Sequence, residues 1–517
     1  MSKNNSNNSS STVVCTINPN SPVKPNEASG NMAACIGETI TVTMGMFFDG
    51  TGNNRFNVDE KNPLYKDDSY TNDHSNVSRA SNFYKGFLND EETEGLNIYV
   101  DGIGTTAGER DSLFGFALGT GETGVERRVK LGVFEATKAI FNLVDKDKIE
   151  TINITFDVFG FSRGAAAARY FIHINSEKKK YYDNRTYDSF LHFWFNIKNY
   201  GYNNPKKVNI NINWRFAGLY ETVSSYGIDR SNDVNQLGLM NINHVKNIFH
   251  IVASDEYREK FSITPVHAPN IVNGKLTSLK SGAFGEDYLG NRIQTFKETL
   301  VIPGVHSDIG GGYANNLSEH EMILFISKDF FHIEGQTIPS PEYKQQEIIA
   351  TKVKDKFVED GWYKEEKTND PENSIVVRLE PTKEKLNLNV PHTEYHFKVR
   401  GSRKKIKNEY SHIPLTIMTE KAIQNGVNFD LAKIKSKFPI RETEGSMIDF
   451  IPNGDFLNEV YKKIKNNIPI NTDELKKLRY KYLHWSSRYE LSLVEPHQPR
   501  FNKNDKTRYE REIIPIN

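Results

Sequence analysis

Short apolar runs alternate with helix-like stretches from Thr39 onward. Thr39–Phe48, Asn97–Asp101, Ile152–Phe159, Val208–Leu219, Ile248–Ala253 and Thr295–Pro303 read as strands, and Gly124–Asp145 and Gly164–Ser176 read as helices between them. Strands alternating with helices predict a mainly parallel sheet in an α/β domain. One strand breaks the pattern of a doubly covered sheet: Ile152, Ile154, Phe156 and Val158 alternate with Asn153, Thr155 and Asp157. Those polar residues are expected either to hydrogen-bond beneath a helix or to lie on a partly covered face. After about residue 320 the rhythm changes. Pro341–Glu359 reads as a charged helix, Ser374–Glu380 and Glu394–Arg400 as strands, and His412–Gln424 and Asp473–Leu483 as helices, with a basic stretch from Lys398 to Lys407. The expected organisation is a disordered arm (1–36), an α/β core (37–320), an inserted α+β cap or lid (321–472) and a C-terminal return to the core (473–517).

Composition narrows the functional classes. Lys plus Arg equals Asp plus Glu at 66 each, so no global charge draws the chain to nucleic acid. Cys15 and Cys35 are the only cysteines of 517 residues and precede the first strand, which excludes a disulfide framework or a cysteine-built zinc site. No metal or cofactor is expected. The start, Met-Ser-Lys-Asn-Asn-Ser, has no apolar segment behind its lysine and does not read as a secretory signal, and no run approaches a membrane-spanning length. The expectation is a soluble product made in the cytoplasm that reaches any other site by a signal-independent route.

The chemistry concentrates at Gly160-Phe161-Ser162-Arg163-Gly164, a GxSxG pattern with a strand before it and an alanine-rich helix after it. A serine at a tight strand-to-helix turn projects its hydroxyl from the end of the sheet, and the helix start offers backbone N–H groups to an oxyanion. Ser162 is therefore the expected nucleophile. For the acid, Asp308 lies just past the strand Thr299–Pro303 in Gly304-Val305-His306-Ser307-Asp308-Ile309-Gly310-Gly311-Gly312-Tyr313; Glu221, after the strand ending at Leu219, is its rival. Seven histidines follow Asp308 and spacing does not choose among them; His484 and His412 lead as bases. The oxyanion hole is assigned to the Arg163 N–H and a second backbone N–H at Gly50, in the glycine-rich loop after the first strand. Residues 102–124 match no phosphate-binding pattern and read as a loop bordering the site.

Phe48-Asp49-Gly50-Thr51-Gly52-Asn53, Gly160 to Ala165, Phe216-Ala217-Gly218-Leu219-Tyr220-Glu221-Thr222-Val223 and Gly304 to Tyr313 occur in the order seen in one group. The chain resembles the type VI secretion lipase effectors of the first family. The resemblance implies an α/β-hydrolase with a Ser–Asp–His site acting on phospholipid esters in a competitor's membranes. By position it assigns Ser162 as nucleophile, Asp308 as acid and His484, in a late Tyr-hydrophobic-His-x-Ser pattern, as base. Glu221 stands where relatives usually carry Asp in an Asp-Thr-Val segment. The implied partners are a phospholipid membrane surface, a secretion spike or carrier protein, and a cognate immunity protein. Arg400 to Lys407 reads as a solvated hairpin loop or as a contact with anionic head groups. The competing functions are a cytosolic esterase on small soluble esters and a catalytically silent hydrolase-fold adaptor of a secretion complex.

Overall fold

A computed structural model describes residues 37–62, 64–112, 124–145, 148–177, 179–180, 186–187, 189–199, 208–224, 234–235, 237–273, 275–287, 289–331, 340–364, 373–382, 394–441, 455–489, 495–496 and 513. The arm assigned to 1–36, both cysteines and the middle of the 102–124 loop lie outside the described residues.

The main sheet contains β1 (Glu38–Phe48), the short strands β2 (Gly86–Leu88) and β3 (Glu91–Thr93), β4 (Asn97–Val100), β5 (Ile149–Phe161), β6 (Asn209–Tyr220), β7 (Asn247–Ala253), β8 (Leu279–Glu286) and β9 (Arg292–Ile302). Among the described residues these nine strands run in the order β8-β9-β7-β6-β5-β1, with the β2–β3 hairpin and β4 sharing the far edge of β1. All neighbours from β9 to β4 are parallel, so their carboxyl ends open onto one rim of the molecule. That rim is where open α/β sheets place their ligands.

Helices α1 (Val125–Leu143) and α2 (Arg163–Ser176) cover one face of the sheet. The run Ala165-Ala166-Ala167-Ala168 brings α2 close to the strands, and Phe171 and Ile172 pack with Met46, Phe156 and Val158. Residues 303–441 add α3 (His306–Gly310), β10 (Leu317–Ile326), α4 (Pro341–Glu359), β11 (Asn373–Pro381), β12 (Glu394–Ile406), α5 (His412–Gln424) and α6 (Leu431–Lys437). Two helices follow near the C-terminus, α7 (Phe456–Lys465) and α8 (Thr472–Lys481). Although α5 falls in the interval read as an insertion, it covers the second face of the main sheet: Ile413, Leu415 and Met418 join a buried cluster with Phe159, Phe216 and Phe249. Each such fully buried side chain contributes about 1.5–3 kcal/mol.

A second, antiparallel sheet is built of β10, β11, β12 and the short strand Phe330–Phe331, and against it α4 buries Ala350, Val353 and Phe357. The basic stretch is not a hairpin loop, because residues 400–406 continue β12. Arg403 is 1% exposed and ion-paired to Glu319 at 2.7 Å, and Arg400 meets Glu380 at 2.7 Å. Those two guanidinium groups are paired within the second sheet, whereas Lys404 and Lys405 are exposed.

The alternating polar residues of β5 form a ladder with β6. Asn211 donates to Asn153 (2.9 Å), Asn213 to Thr155 (3.1 Å) and Arg215 Nε to Asp157 (2.9 Å). Asn153 and Thr155 are half-buried whereas Asp157 is fully enclosed, so the face is open at one end of the strand and covered at the other.

Candidate active site

Ser162 sits at the end of β5 with φ 58° and ψ −128°. A non-glycine residue there costs about 1–3 kcal/mol and persists only when its surroundings fix it. They do: its N–H donates to Tyr220 O at 3.0 Å, and its carbonyl accepts from Ala165 N at 3.0 Å and Val223 N at 3.3 Å. The flanking glycines are steric requirements. A Cβ on Gly160 would lie 2.5 Å from Gly164 O, and one on Gly164 would lie 2.2 Å from Asp49 O.

The register of the sheet decides what stands beside the serine. Phe161 pairs with Tyr220 across β5 and β6, so Ser162 and Glu221 leave the sheet as lateral neighbours. Glu221 is fully buried; one carboxylate oxygen accepts from Ala253 N at 2.6 Å and the other lies 2.9 Å from His306 Nδ1. His306 opens α3 just beyond β9, its N–H donating to Glu256 at 3.1 Å. Its ring packs on Phe161, the residue before Ser162, with centroids 4.7 Å apart, and on Phe261 at 5.0 Å. Burial holds the imidazole below the ordinary histidine range, against the upward pull of Glu221. Ser162 and His306 line one cavity of about 540 Å³, together with Thr51, Arg163, Tyr313 and His484.

A second carboxylate–histidine pair borders the same cavity. His484 Nδ1 lies 2.7 Å from Asp308 Oδ1, and the His484 N–H donates to Asp308 Oδ2 at 3.1 Å. Asp308 also accepts from Val305 N at 3.0 Å, and burial raises its pKa. The His484 ring stacks on Tyr313 at 3.9 Å, and its Nε2 is enclosed with no hydrogen-bond partner among the described residues. The segment carrying it is strapped down on both sides of the pair. Trp485 N–H donates to Glu319 at 2.7 Å, and the Ser486 hydroxyl donates to Glu256 at 3.0 Å.

The structure therefore joins His484 to Asp308 and Glu221 to a histidine not singled out from the sequence. His306 was visible within the Gly304–Tyr313 motif, and Ser162, Glu221 and His306 follow the Ser-acid-His chain order of α/β-hydrolases. Two site assignments are corrected. His412 caps the core at the start of α5, with Nδ1 2.9 Å from Pro439 O and burial pushing its pKa down to about 4; it does not line the cavity. The Gly50 N–H donates to Asp49 Oδ1 at 2.7 Å, so it is turned inward to a carboxylate that also accepts from Tyr99 at 2.6 Å. The next residue, Thr51, faces the cavity, and its hydroxyl accepts from Arg163 Nε at 2.8 Å. Among the described residues no group of His, Cys, Asp or Glu is placed to hold a metal ion.

A serine on a strained strand-to-helix turn, at the carboxyl rim of a mainly parallel sheet between helices, defines an α/β-hydrolase. Residues 43–328 match the family described as "T6SS, Phospholipase effector Tle1-like, catalytic domain". The chain belongs to this phospholipase effector family of type VI secretion. Among solved structures it resembles "Structure of the Tle1 effector bound to the VgrG spike from the Type 6 secretion system", with 21% identity, TM-score 0.52, and 86% of this chain and 84% of that chain covered. It also overlaps "Crystal structure of an uncharacterized protein from Pseudomonas aeruginosa" at 16% identity and TM-score 0.36, covering 86% of this chain and 53% of that one. No curated protein matches.

Proposed function

We propose that the protein is a serine phospholipase that hydrolyses acyl esters of phospholipids in the membranes of target cells. Ser162 Oγ attacks the ester carbonyl, His306 takes its proton and returns it to the departing alcohol, and Glu221 holds the imidazole through Nδ1. Water then repeats the sequence on the acyl-enzyme. The tetrahedral oxyanion is held by the backbone N–H of Arg163 at the start of α2 and by that of Thr51, in place of Gly50. The observation that carries this reading is the Glu221–His306 pair packed on Phe161, one residue from the strained serine.

The Asp308–His484 pair supports a second reading, in which His484 is the base, because it borders the same cavity. The enclosed Nε2 of His484 and the strapping of its segment favour a role in holding the cavity wall instead. Delivery by a secretion spike and neutralisation by an immunity protein are extended to this chain from its family; the solved Tle1 effector is bound to such a spike. Ser162→Ala is expected to abolish fatty-acid release from phospholipid vesicles while leaving the unfolding transition unchanged. Full release by that variant would overturn the proposal.

A further inference from the structure

Trp485 is a wall shared by two cavities. One face belongs to the cavity of Ser162; the other closes a second cavity of about 360 Å³ between α4, α8 and the hairpin Asn270–Thr277. That volume falls within the range of small-molecule sites. Its lining is mixed: Val353, Phe357, Trp362, Leu475 and Trp485 supply an apolar and aromatic part, beside Thr472 and charged side chains. The indole of Trp485 is fixed edge-on to Phe357 (4.8 Å) and Trp362 (5.1 Å), which makes the partition rigid.

The rim carries both signs of charge, with the cations in excess. Glu359 and Asp360 are both engaged by Lys356 at 3.1 Å, and Arg479 is engaged by Asp255 at 2.6 Å. Lys275 and Lys476 line the same cavity and form no ion pair among the described residues. An aromatic and aliphatic part of the lining, together with two ammonium groups free of ion pairs among the described residues, suits a ligand with a hydrocarbon chain and an anionic head.

We infer that this second cavity binds an acyl chain bearing an anionic head, either the carboxylate of a free fatty acid or the phosphate of a lysophospholipid. As a source of such a ligand the inference rests on the phospholipase reading, since both are products of that reaction released on the far side of Trp485. The binding itself does not involve Ser162, so either statement can fail without the other.

The test uses the full chain carrying Ser162→Ala, with tryptophan fluorescence read against bromine-labelled stearate and bromine-labelled lysophosphatidylglycerol below their micellar concentrations. Saturable quenching is expected, and Trp362→Phe should remove a fixed part of it. The double variant Lys275→Glu/Lys476→Glu should weaken binding about tenfold. A brominated fatty alcohol should bind the unaltered rim at least about tenfold more weakly than the acid. A response to stearate alone assigns the site to the released acid, and one to the lysolipid alone assigns it to the other product. In an otherwise unaltered chain, the two lysine substitutions should leave hydrolysis of a short water-soluble ester unchanged, which shows that the variant is folded. Equal binding of acid and alcohol, or an affinity indifferent to the lysine reversal, would overturn the inference.

Discussion

At Ser162 the backbone strain and the two flanking glycines were legible from the motif alone, because any side chain at Gly160 or Gly164 meets backbone. The histidine is not, since spacing does not choose among the seven that follow Asp308 and His306 lies two residues before it. Only the register between β5 and β6, which sets Glu221 beside Ser162, singles out the histidine that Glu221 holds. Replacing Glu221 by Gln should lower kcat/KM by about 10²- to 10⁴-fold, as the imidazolium formed in the reaction loses its counter-charge. Glu221→Asp should retain more activity than Glu221→Gln, because it keeps the charge and shortens the reach by one methylene. The pH profile follows from the direction of the His306 shift. A base must be neutral to accept the serine proton, and burial holds this imidazole below the usual value near 6.5. The acid limb of kcat/KM should therefore fall below pH 6.5, with activity flat through neutrality. A limb centred above pH 7 would contradict it.

Among elements, β1, β4, β5, β6, β7 and β9 of the main sheet and α1, α2, α4, α5 and α8 are legible as periodic segments, whereas β2, β3 and β8 are not. What the legible segments pack against is not. The basic run at the end of β12 resembled a loop because the partner of Arg403, Glu319, lies 84 residues earlier in the chain. That buried pair fastens the second sheet to the segment carrying His484: Glu319 accepts from Trp485 N–H, and Arg403 donates to the carbonyls of Arg479 and Leu483 at 2.7 and 3.0 Å. Arg403→Met leaves a buried carboxylate without its cation and should cost about 3–5 kcal/mol in denaturant unfolding. Glu319 and Arg403 replaced together by apolar residues should cost less than Arg403→Met alone. The core at α5 carries its own acid sensitivity. His412 binds a proton near pH 4 in the fold and near 6.5 when unfolded, so stability is lost as pH falls through that window. The midpoint of thermal unfolding should drop between pH 6.5 and 4, and by less in His412→Gln.

For the whole molecule, two sheets and their helices place a strained serine, two carboxylate–histidine pairs and a shared tryptophan wall at one rim. Among the described residues no helix is long and apolar enough to cross a membrane. A phospholipase effector carried by a spike should co-purify with a cognate spike protein when the two are expressed together, and Ser162→Ala should leave that association intact. His306, held by Glu221, is proposed as the base for Ser162. This role is tested most directly by kcat/KM on a defined phospholipid for His306→Ala and His484→Ala side by side. His306→Ala should lose about 10³-fold or more, matching Ser162→Ala, and His484→Ala much less; the reverse order would make His484 the base.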